Sequence, residues 1–423
     1  MKNNFEWFKL DNAAKIFPGQ NSSSWSNIFR IGIELKNEIE PALLEAALKT
    51  TLKRIPNFDV RIRRGAFWYY LEKNPNEAFV EKDIKNHCYR IKFKEDKGFL
   101  FRLYYHQNRI AIDTYHVLSD GYGASVFLST LAGEYLRLKG LEIGSNEFVL
   151  STKEKPTHEQ VEDSYMRYAN SKFTANKREK NAYHFEGTKE KKHFCNYTIG
   201  IMDFNQVHEI SRSYGVTVTE FFSALLLYVH YLNQLETKKR KKQDLTVQIP
   251  VNLRKAFPSK TLRNFVLCLK VRINPNLGDY SFEEILKIIS LQLKLANDSK
   301  IMNSMMSQNL KIEKNPVAKF LPLPIKNFGI ALSFLFTAEK NTTTLISNLG
   351  AIQVPQEMEN EIEKYMFFTG PGKLNGARCG VITFNDKLAF TFSNCYKESD
   401  IEREFFTRLV KMGVHVKIES NRE

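Results

Sequence analysis

The sequence predicts an α/β sandwich divided into two lobes, and three observations lead to this fold class. The chain has 423 residues, enough for about two to three domains of ordinary size. Strand and helix patterns alternate in both halves. A polar stretch without clear periodicity separates the halves at residues 151–193. We therefore place the first lobe at 1–185, with a connector beginning near 151, and the second lobe at 186–423.

The first half alternates in the order strand, helix, two hairpins, helix. Alternating apolar residues indicate the strands, and apolar residues three or four positions apart indicate the helices. The predicted elements are a strand at 27–35, a helix from Pro41 to about Pro56, hairpins at 60–71 and 99–116, and a helix at 119–138 that ends before Gly140.

The second half repeats this alternation. Thr217 and Glu220 have the spacing of a capping box, which indicates that a helix begins there. The predicted elements are a helix at 221–235, strands at 245–251 and 265–273, a helix at 282–295, a strand at 344–346, a hairpin at 378–393 that turns at Asn385-Asp386, and a helix at 400–412 that ends before Gly413.

The chain is basic, with 62 Lys and Arg against 47 Asp and Glu and a formal charge of +15. Such an excess favours solubility or an anionic partner. No nucleic-acid-binding motif accompanies the basic residues, so nucleic acid is not an expected partner. The run Lys238–Lys242 is a candidate for binding phosphates, with a solvated loop as the alternative.

The cysteines and the N-terminus indicate the cellular compartment in which the protein is expected. Five cysteines lie far apart without a CxxC pair, which argues against a disulfide framework and against a zinc site. No His or carboxylate cluster has metal-ligand spacing, so no metal is expected. The N-terminus has no apolar signal segment, and the most apolar helical stretch, 221–235, is too short to span a bilayer. We expect a cytoplasmic monomer without a membrane span.

The most informative segment is the end of the second hairpin, at residues 109–121. Side chains alternate along a strand, so Ile112, Thr114 and His116 share one face. His116 stands where the apolar strand ends, and a histidine is the natural base near neutral pH. Asp120 and Gly121 form the turn into the next helix, where Asp120 can orient the strand end or merely cap the helix.

The pattern His116-x-x-x-Asp120-Gly121 at a strand end resembles the HxxxDG signature of the coenzyme A-dependent acyltransferase superfamily. That superfamily includes chloramphenicol acetyltransferases, peptide-synthetase condensation domains and alcohol acetyltransferases. The segment 250–254, Pro-Val-Asn-Leu-Arg, is similar to its second-lobe arginine motif, and 347–350 and 403–420 look like the alcohol acetyltransferase branch. Many members have two histidines before the spacer, whereas here the first is Tyr115.

The resemblance implies two similar lobes, each a mixed β-sheet flanked by helices, with an active-site tunnel between them. It implies that His116 is the general base of a direct acyl transfer without an acyl-enzyme, and that Asp120 pairs with an arginine to hold the loop. Arg254 is the expected partner, with Arg61 in reserve. Ser347, Asn348 and Asn264 are candidate oxyanion donors or tunnel-wall residues.

The resemblance also implies the substrates. Acyl-CoA, with acetyl the expected acyl group, is a co-substrate rather than a bound cofactor, and the acceptor is a small molecule with a hydroxyl or amine. Two alternatives stay open: a condensation-type enzyme that takes its acyl group from an acyl carrier protein, and a non-catalytic binding protein on the same fold. The intact His116 and Asp120 argue against the second alternative.

Overall fold

The computed structural model describes residues 5–20, 27–84, 86–170, 172, 180–191, 194–237, 242–333, 339–372 and 377–422. Four of the five residues in the run 238–242, and residues 373–376 of the glycine-rich stretch 370–376, lie outside this part of the chain.

The first half of the chain forms most of the first lobe. Its elements are β1 Trp7–Lys9, α1 Phe17–Gln20, β2 Ile28–Leu35, α2 Pro41–Arg54, β3 Val60–Arg64, β4 Tyr69–Lys73, β5 Val80–Lys82, β6 Phe101–His106, β7 Arg109–Tyr115, α3 Gly121–Leu138 and α4 Ser164–Tyr168.

The second half is richer in helices. Its elements are β8 Asn196–Asp203, α5 Phe204–Ser213, α6 Val218–Glu236, β9 Leu245–Asn252, β10 Val266–Ile273, α7 Phe282–Ala296, α8 Ser299–Lys314, α9 Pro316–Phe320, α10 Leu323–Ser333, β11 Thr344–Ala351, α11 Gln356–Glu359, β12 Ile362–Phe368, β13 Ala377–Phe384, β14 Lys387–Asn394, α12 Asp400–Lys411 and β15 Val416–Ser420.

The described strands form three sheets. The first lobe holds a five-stranded sheet in the order β12-β2-β7-β6-β5, and a small sheet, β1-β4-β3, accompanies it. The second lobe holds a seven-stranded sheet in the order β10-β9-β11-β13-β14-β8-β15. Parallel pairs join β11 to β13 and β9 and join β5 to β6, so both large sheets are mixed. The two-lobed α/β architecture predicted from the sequence is confirmed.

One strand crosses between the halves of the sequence. β12 comes from the second half but pairs antiparallel with β2, at the edge of the first lobe's sheet. The two sheets meet closely there: a Cβ on Gly380 in β13 would lie 2.3 Å from the carbonyl oxygen of Phe367 in β12. Only glycine allows that backbone approach. The hydroxyl of Thr391 in β14 also donates to the Phe367 carbonyl.

β7 is the strand that positions the site. It lies between β2 and β6 and pairs antiparallel with both, so its backbone is held on two sides. The turn before it places Gln107 at φ 51°, a left-handed conformation suited to a tight hairpin. Ile110 and Ile112 are fully buried against the helices that cover this sheet. The register of β7 is therefore specified by both of its neighbours and by its buried face.

Most predicted elements are found within a few residues of their expected ends. The capping box of Thr217 and Glu220 is formed at the start of α6. The predicted strand at 344–346 is longer and includes Ser347 and Asn348. The sequence patterns did not predict β8, β12, β15 or the helices between 299 and 333.

Three further findings concern the cysteines, metal-binding groups and membrane-spanning helices. The five cysteines are free, and Cys88, Cys195 and Cys379 are buried. In the described ranges, no group of three or more His, Cys, Asp and Glu side chains could hold a metal ion. Among the helices described, none alone is long and apolar enough to cross a membrane, and α5 and α6 meet that requirement only together, as a pair bent by 80°.

Candidate active site

His116 directly follows β7 and is half-buried between two aromatic rings. Phe17 of α1 stacks on the imidazole with ring centroids 4.9 Å apart, and the Phe29 ring of β2 lies 4.8 Å away. The backbone N–H of His116 donates to the carbonyl of Asn27 at 2.9 Å, which extends the β2–β7 pairing by one residue. The imidazole therefore stands at the end of a buried strand with its ring plane restrained by packing.

Asn264 determines which ring nitrogen carries the proton. Its Nδ2 donates to the backbone carbonyl of His116 at 2.8 Å and to Oδ2 of Asp11 at 3.2 Å. Because a carbonyl oxygen can only accept, the amide orientation is fixed, and Oδ1 lies 3.2 Å from Nδ1 of His116. Nδ1 must then carry the hydrogen, which leaves the lone pair on Nε2.

The protonation state of His116 follows from its surroundings. Burial lowers the pKa of His116 below its usual 6.5, because a charged imidazolium is poorly solvated there. The hydrogen bond to Asn264 and the charges of Asp120 and Asp11 oppose this shift and raise the pKa. The direction of the net shift keeps the ring neutral at pH 7, so that Nε2 can accept a proton.

Asp120 does two things at once. Its Oδ1 accepts from the backbone N–H of Gly123 at 3.0 Å and caps α3. Its Oδ2 accepts from Nη1 of Arg254 and from the backbone N–H of Phe265, both at 2.8 Å. The side chain is 1% exposed. The two interpretations of Asp120 weighed from the sequence, helix cap and arginine partner, both describe contacts that are present.

Arg254 reaches Asp120 from the turn that follows β9. Its guanidinium also donates to the carbonyls of Thr261, at 3.0 and 2.8 Å, and Arg263, at 2.7 Å. The ring of Tyr122 lies 4.5 Å from its central carbon. These contacts join the second lobe to the start of α3.

The reserve candidate Arg61 does not take part in this ion pair. Its Nε donates to Oε1 of Glu72 at 2.7 Å, on the neighbouring strand of the small sheet.

Close backbone contact locks the segment 261–265 to the loop that follows β7. The hydroxyl of Ser119 donates to the carbonyl of Leu262 at 2.6 Å. A Cβ on Gly123 would lie 2.1 Å from that same carbonyl oxygen, so glycine is required there. A Cβ on Gly121 would lie 2.3 Å from the end of the Leu349 side chain. That side chain can move, so the position tolerates a Cβ better than Gly123 does. The sequence singled out Gly121, whereas the stricter requirement falls on Gly123.

Asp11 is a site residue that the sequence analysis missed. It is fully buried on the N-terminal segment, where its Oδ1 accepts from the backbone N–H of Ala14 at 2.7 Å and Arg263 Nε lies 3.5 Å from its Oδ2. Burial raises the pKa of Asp11, and the charge of Arg263 and the hydrogen bonds oppose that rise. Asp11, Asn264 and His116 thus form a chain of hydrogen bonds that ends at the imidazole.

The geometry revises one expectation about the oxyanion donors. Asn264 was expected to donate to an oxyanion or line the tunnel, but both of its N–H bonds are taken, and its oxygen faces His116. Nδ2 of Asn348 donates to the hydroxyl of Thr219 at 2.9 Å, away from His116. Ser347 makes no side-chain hydrogen bond within the described part of the chain.

Ser347 lies on the face of β11 opposite that of its neighbours, because Ile346 packs in the core of the second lobe, Asn348 reaches α6, and successive side chains of a strand alternate. Ser347 pairs with Gly380 of β13, where a Cβ would meet the Phe367 carbonyl of β12 in the first lobe's sheet. Leu349 contacts Gly121 at the start of α3. The structure therefore separates the two neighbours, with Ser347 towards the first lobe and Asn348 towards α6.

No protein-family model and no curated protein sequence matches the chain. Solved structures do match over nearly its whole length. The polyketide synthase associated protein 5 from Mycobacterium tuberculosis has a TM-score of 0.57 at 12% identity, covering 96% of this chain and 97% of that one. The trichothecene 15-O-acetyltransferase from Fusarium sporotrichioides has a TM-score of 0.54 at 12% identity, with 96% and 94% covered.

A third similar structure holds an acyl thioester. The starter condensation domain of rhizomide synthetase, in a complex with C8-CoA and Leu-SNAC, has a TM-score of 0.56 at 12% identity and the same shares of coverage, 96% and 94%. The chain has the fold that these three structures share.

Proposed function

We propose that this protein, which has the condensation-domain-like fold, is an acyltransferase that moves an acyl group from acyl-CoA to a hydroxyl or amine acceptor. The observation on which this rests is the neutral His116, whose Nδ1 hydrogen is directed at Asn264 and whose Nε2 can accept a proton. A base of this kind suits proton removal from an acceptor during attack on a thioester. The C8-CoA complex of the rhizomide synthetase domain supports an acyl-CoA donor.

The reaction is a direct transfer. Nε2 of His116 takes the proton from the acceptor oxygen or nitrogen while that atom forms a bond to the thioester carbonyl carbon. The tetrahedral intermediate then collapses, the carbon–sulfur bond breaks, and the coenzyme A thiolate takes the proton from the imidazolium. The side chains of Phe17, Phe29 and Asn264, which contact the imidazole, carry no nucleophilic group. A covalent acyl-enzyme is not part of the proposal.

Asn264 and Asp11 act through the imidazole. As Nε2 gains a proton, positive charge develops on the ring, and the hydrogen bond from Nδ1 to Oδ1 of Asn264 strengthens. Asp11 holds the other end of the Asn264 amide and adds a negative charge near the ring. We assign both as positioning residues, because neither is placed to touch the substrate.

Asp120 and Arg254 hold the loop. Their ion pair, together with the bond from Phe265, ties the start of α3 to the second lobe. The base lies four residues before Asp120, so loss of the pair would let His116 shift relative to its substrates. A misplacement of about 1 Å can cost about a hundredfold in rate.

Ser347 is the proposed oxyanion donor. It lies on the face of β11 that is directed at the first lobe, and no described side chain forms a hydrogen bond with its hydroxyl. Removing one oxyanion donor typically costs about 10²–10³ in kcat. Ser347→Ala should therefore lower kcat. Asn348→Ala should instead lower stability, because it removes the hydrogen bond to Thr219 of α6.

The test is acceptor-dependent thiol release. The protein is mixed with acetyl-CoA and octanoyl-CoA and with a panel of alcohols and amines, and the free thiol and the acylated acceptor are both measured. The proposal expects thiol release that rises with acceptor and matches the acylated product. Turnover only when the same acyl group is supplied on a carrier protein would favour the condensation-type alternative. No acylated product from either donor would contradict the proposal.

A further inference from the structure

The helix α10 exposes an apolar stripe to solvent, whereas a helix that packs on a protein surface normally buries its apolar side. Ile325, Phe328 and Leu332 are three, four and seven positions apart on one stripe, and they are 54%, 72% and 45% exposed. The side facing the protein includes the buried Leu323 and Lys326. We call the exposed stripe of Ile325, Phe328 and Leu332 the α10 face.

The inward side of α10 is well anchored, so the exposure of the α10 face is not due to a loose helix. Nζ of Lys326 donates to the carbonyls of Phe67, at 2.9 Å, and Lys319, at 3.1 Å, and lies 3.4 Å from the centre of the Trp68 ring. Nδ2 of Asn327 donates to the hydroxyl of Tyr69 at 2.9 Å. Polar groups thus hold the helix down while apolar groups point outward.

Neighbouring elements extend the exposed apolar surface. Phe320 of α9 is 65% exposed and its ring meets that of Phe67, 42% exposed, at 6.2 Å. Ile16, just before α1, is 43% exposed. Apolar groups exposed together in this way mark an interaction surface rather than ordinary surface scatter.

The charge around this surface is basic. Residues 299–333 contain five lysines and one acidic residue, Glu313, and Glu313 is already paired with Lys15. Lys311 and Lys314 of α8 and Lys319 of α9 are exposed, and Nζ of Lys311 donates to the carbonyl of Lys172 at 3.3 Å. An apolar helix face with exposed lysines on the two preceding helices matches the requirements of an anionic lipid surface. A second copy of the chain fits less well, because a symmetric contact would bring two sets of lysines together.

We propose that the α10 face docks on an anionic lipid bilayer, with Ile325, Phe328 and Leu332 inserted at the interface and Lys311, Lys314 and Lys319 near the headgroups. The protein lies on the membrane and does not span it.

The docking surface is connected to the candidate active site. α10 packs on α1, where a Cβ on Gly19 would lie 3.1 Å from the Ile330 side chain, and α1 also supplies the Phe17 ring that stacks on His116. On the proposed function, this arrangement brings the site next to the bilayer, and the acceptor class that follows is a membrane-partitioned apolar alcohol or amine.

The test of docking is vesicle flotation, which needs no turnover. Vesicles of phosphatidylcholine with one quarter phosphatidylserine are compared with pure phosphatidylcholine vesicles. The parent protein should float with the anionic vesicles, less so at raised salt. The variant Ile325→Ser/Phe328→Ser/Leu332→Ser should lose at least about tenfold in partitioning. The single changes Lys311→Gln, Lys314→Gln and Lys319→Gln should each lower partitioning into anionic vesicles about fivefold.

A matched control removes exposed apolar residues elsewhere. Leu291 and Leu295 of α7 are 60% and 69% exposed, and Leu291→Ser/Leu295→Ser should float like the parent. Parent protein that does not float, or a triple-serine variant that floats equally well, would overturn the proposal. So would a concentration-dependent dimer in the parent that the triple-serine variant abolishes, because the α10 face would then bind a second copy.

The acceptor class is tested separately. With an apolar acceptor presented in anionic vesicles, the triple-serine variant should show a raised KM, while its kinetics with a short, water-soluble alcohol stay unchanged. Equal effects on both acceptors would refute the link between docking and acceptor supply. If no acyl transfer is detected with any acceptor, the proposed function fails while flotation still decides the docking proposal.

Discussion

Replacing Asp120 by asparagine tests whether the two lobes are joined at the loop between β7 and α3. The carboxylate accepts three hydrogen bonds through both of its oxygens, from Gly123 on one side and from Arg254 and Phe265 on the other. An amide has only one oxygen. Whichever way the substituted amide is turned, its N–H groups face a donor, and the Arg254 charge loses its partner.

The expected cost follows from burial. Asp120 is 1% exposed and the Arg254 side chain 7%, and breaking a buried ion pair by changing one partner costs about 3–5 kcal/mol. We therefore expect the free energy of unfolding of Asp120→Asn, measured by chemical denaturation, to fall by about 3 kcal/mol. Arg254→Met should cost a similar amount, and the double variant should cost less than the sum.

An exposed pair provides the control. Nη2 of Arg403 lies 2.5 Å from Oδ1 of Asp400, with side chains 72% and 48% exposed. The change Asp400→Asn should lower the free energy of unfolding by less than about 1 kcal/mol. If Asp120→Asn is no more costly than Asp400→Asn, or if the Asp120 and Arg254 variants are simply additive, the ion pair does not join the lobes.

Three further predictions concern the imidazole, acid stability and backbone contact. Asn264→Ala should lower kcat about tenfold and move the acid limb of kcat/KM to lower pH, because the hydrogen bond to Asn264 raises the pKa of His116 and its loss lowers that pKa; an unmoved limb would refute this. His230 is buried and neutral, and desolvation lowers its pKa to about 3. The stabilisation from neutral His230 is complete above about pH 6.5 and is lost as the pH falls below that value, because only the unfolded chain then binds the proton. Between pH 7.5 and pH 5, the free energy of unfolding should therefore fall by about 2 kcal/mol less in His230→Leu than in the parent, and equal falls in denaturation experiments would contradict this prediction. Gly123→Ala, which meets a backbone oxygen, should cost more than Gly121→Ala, which meets a movable side chain, by about 1–3 kcal/mol in unfolding free energy; the reverse order would contradict the packing described.

Local patterns in the sequence were sufficient for much of the fold and for the centre of the site. Period-two alternation placed β7 and left His116 at its end, and the spacing to Asp120 placed a helix cap next to it. Periodicity and spacing could predict these two features because each depends on neighbours in sequence. Arg254 was expected opposite Asp120 because residues 250–254 resemble the superfamily's arginine motif, and the contact is present.

The rest depends on contacts between distant segments. Asp11, Phe17 and Asn264 meet His116 or one another from separate elements, and no spacing within the sequence relates them. Asn264 was a candidate oxyanion donor or tunnel-wall residue, and its role beside the imidazole becomes visible only from the carbonyl of His116 next to its Nδ2.

Two larger features were also missed. The crossing of β12 into the first lobe's sheet is a pairing between distant segments, and nothing within residues 362–368 distinguishes it from a strand of the second lobe. α10 was not predicted although Ile325, Phe328 and Leu332 have helical spacing, because Pro324 and Gly329 within the segment are typical of turns.

Substitution of His116 tests the central claim most directly. Acyl transfer is measured as acceptor-dependent thiol release by the parent, by His116→Ala and by His106→Ala, which removes an exposed histidine at the other end of the same hairpin. The account predicts a loss of about 10²–10⁴-fold in kcat for His116→Ala with an unchanged unfolding transition, and parent-like turnover for His106→Ala. Turnover of His116→Ala within a few-fold of the parent would show that another group removes the proton.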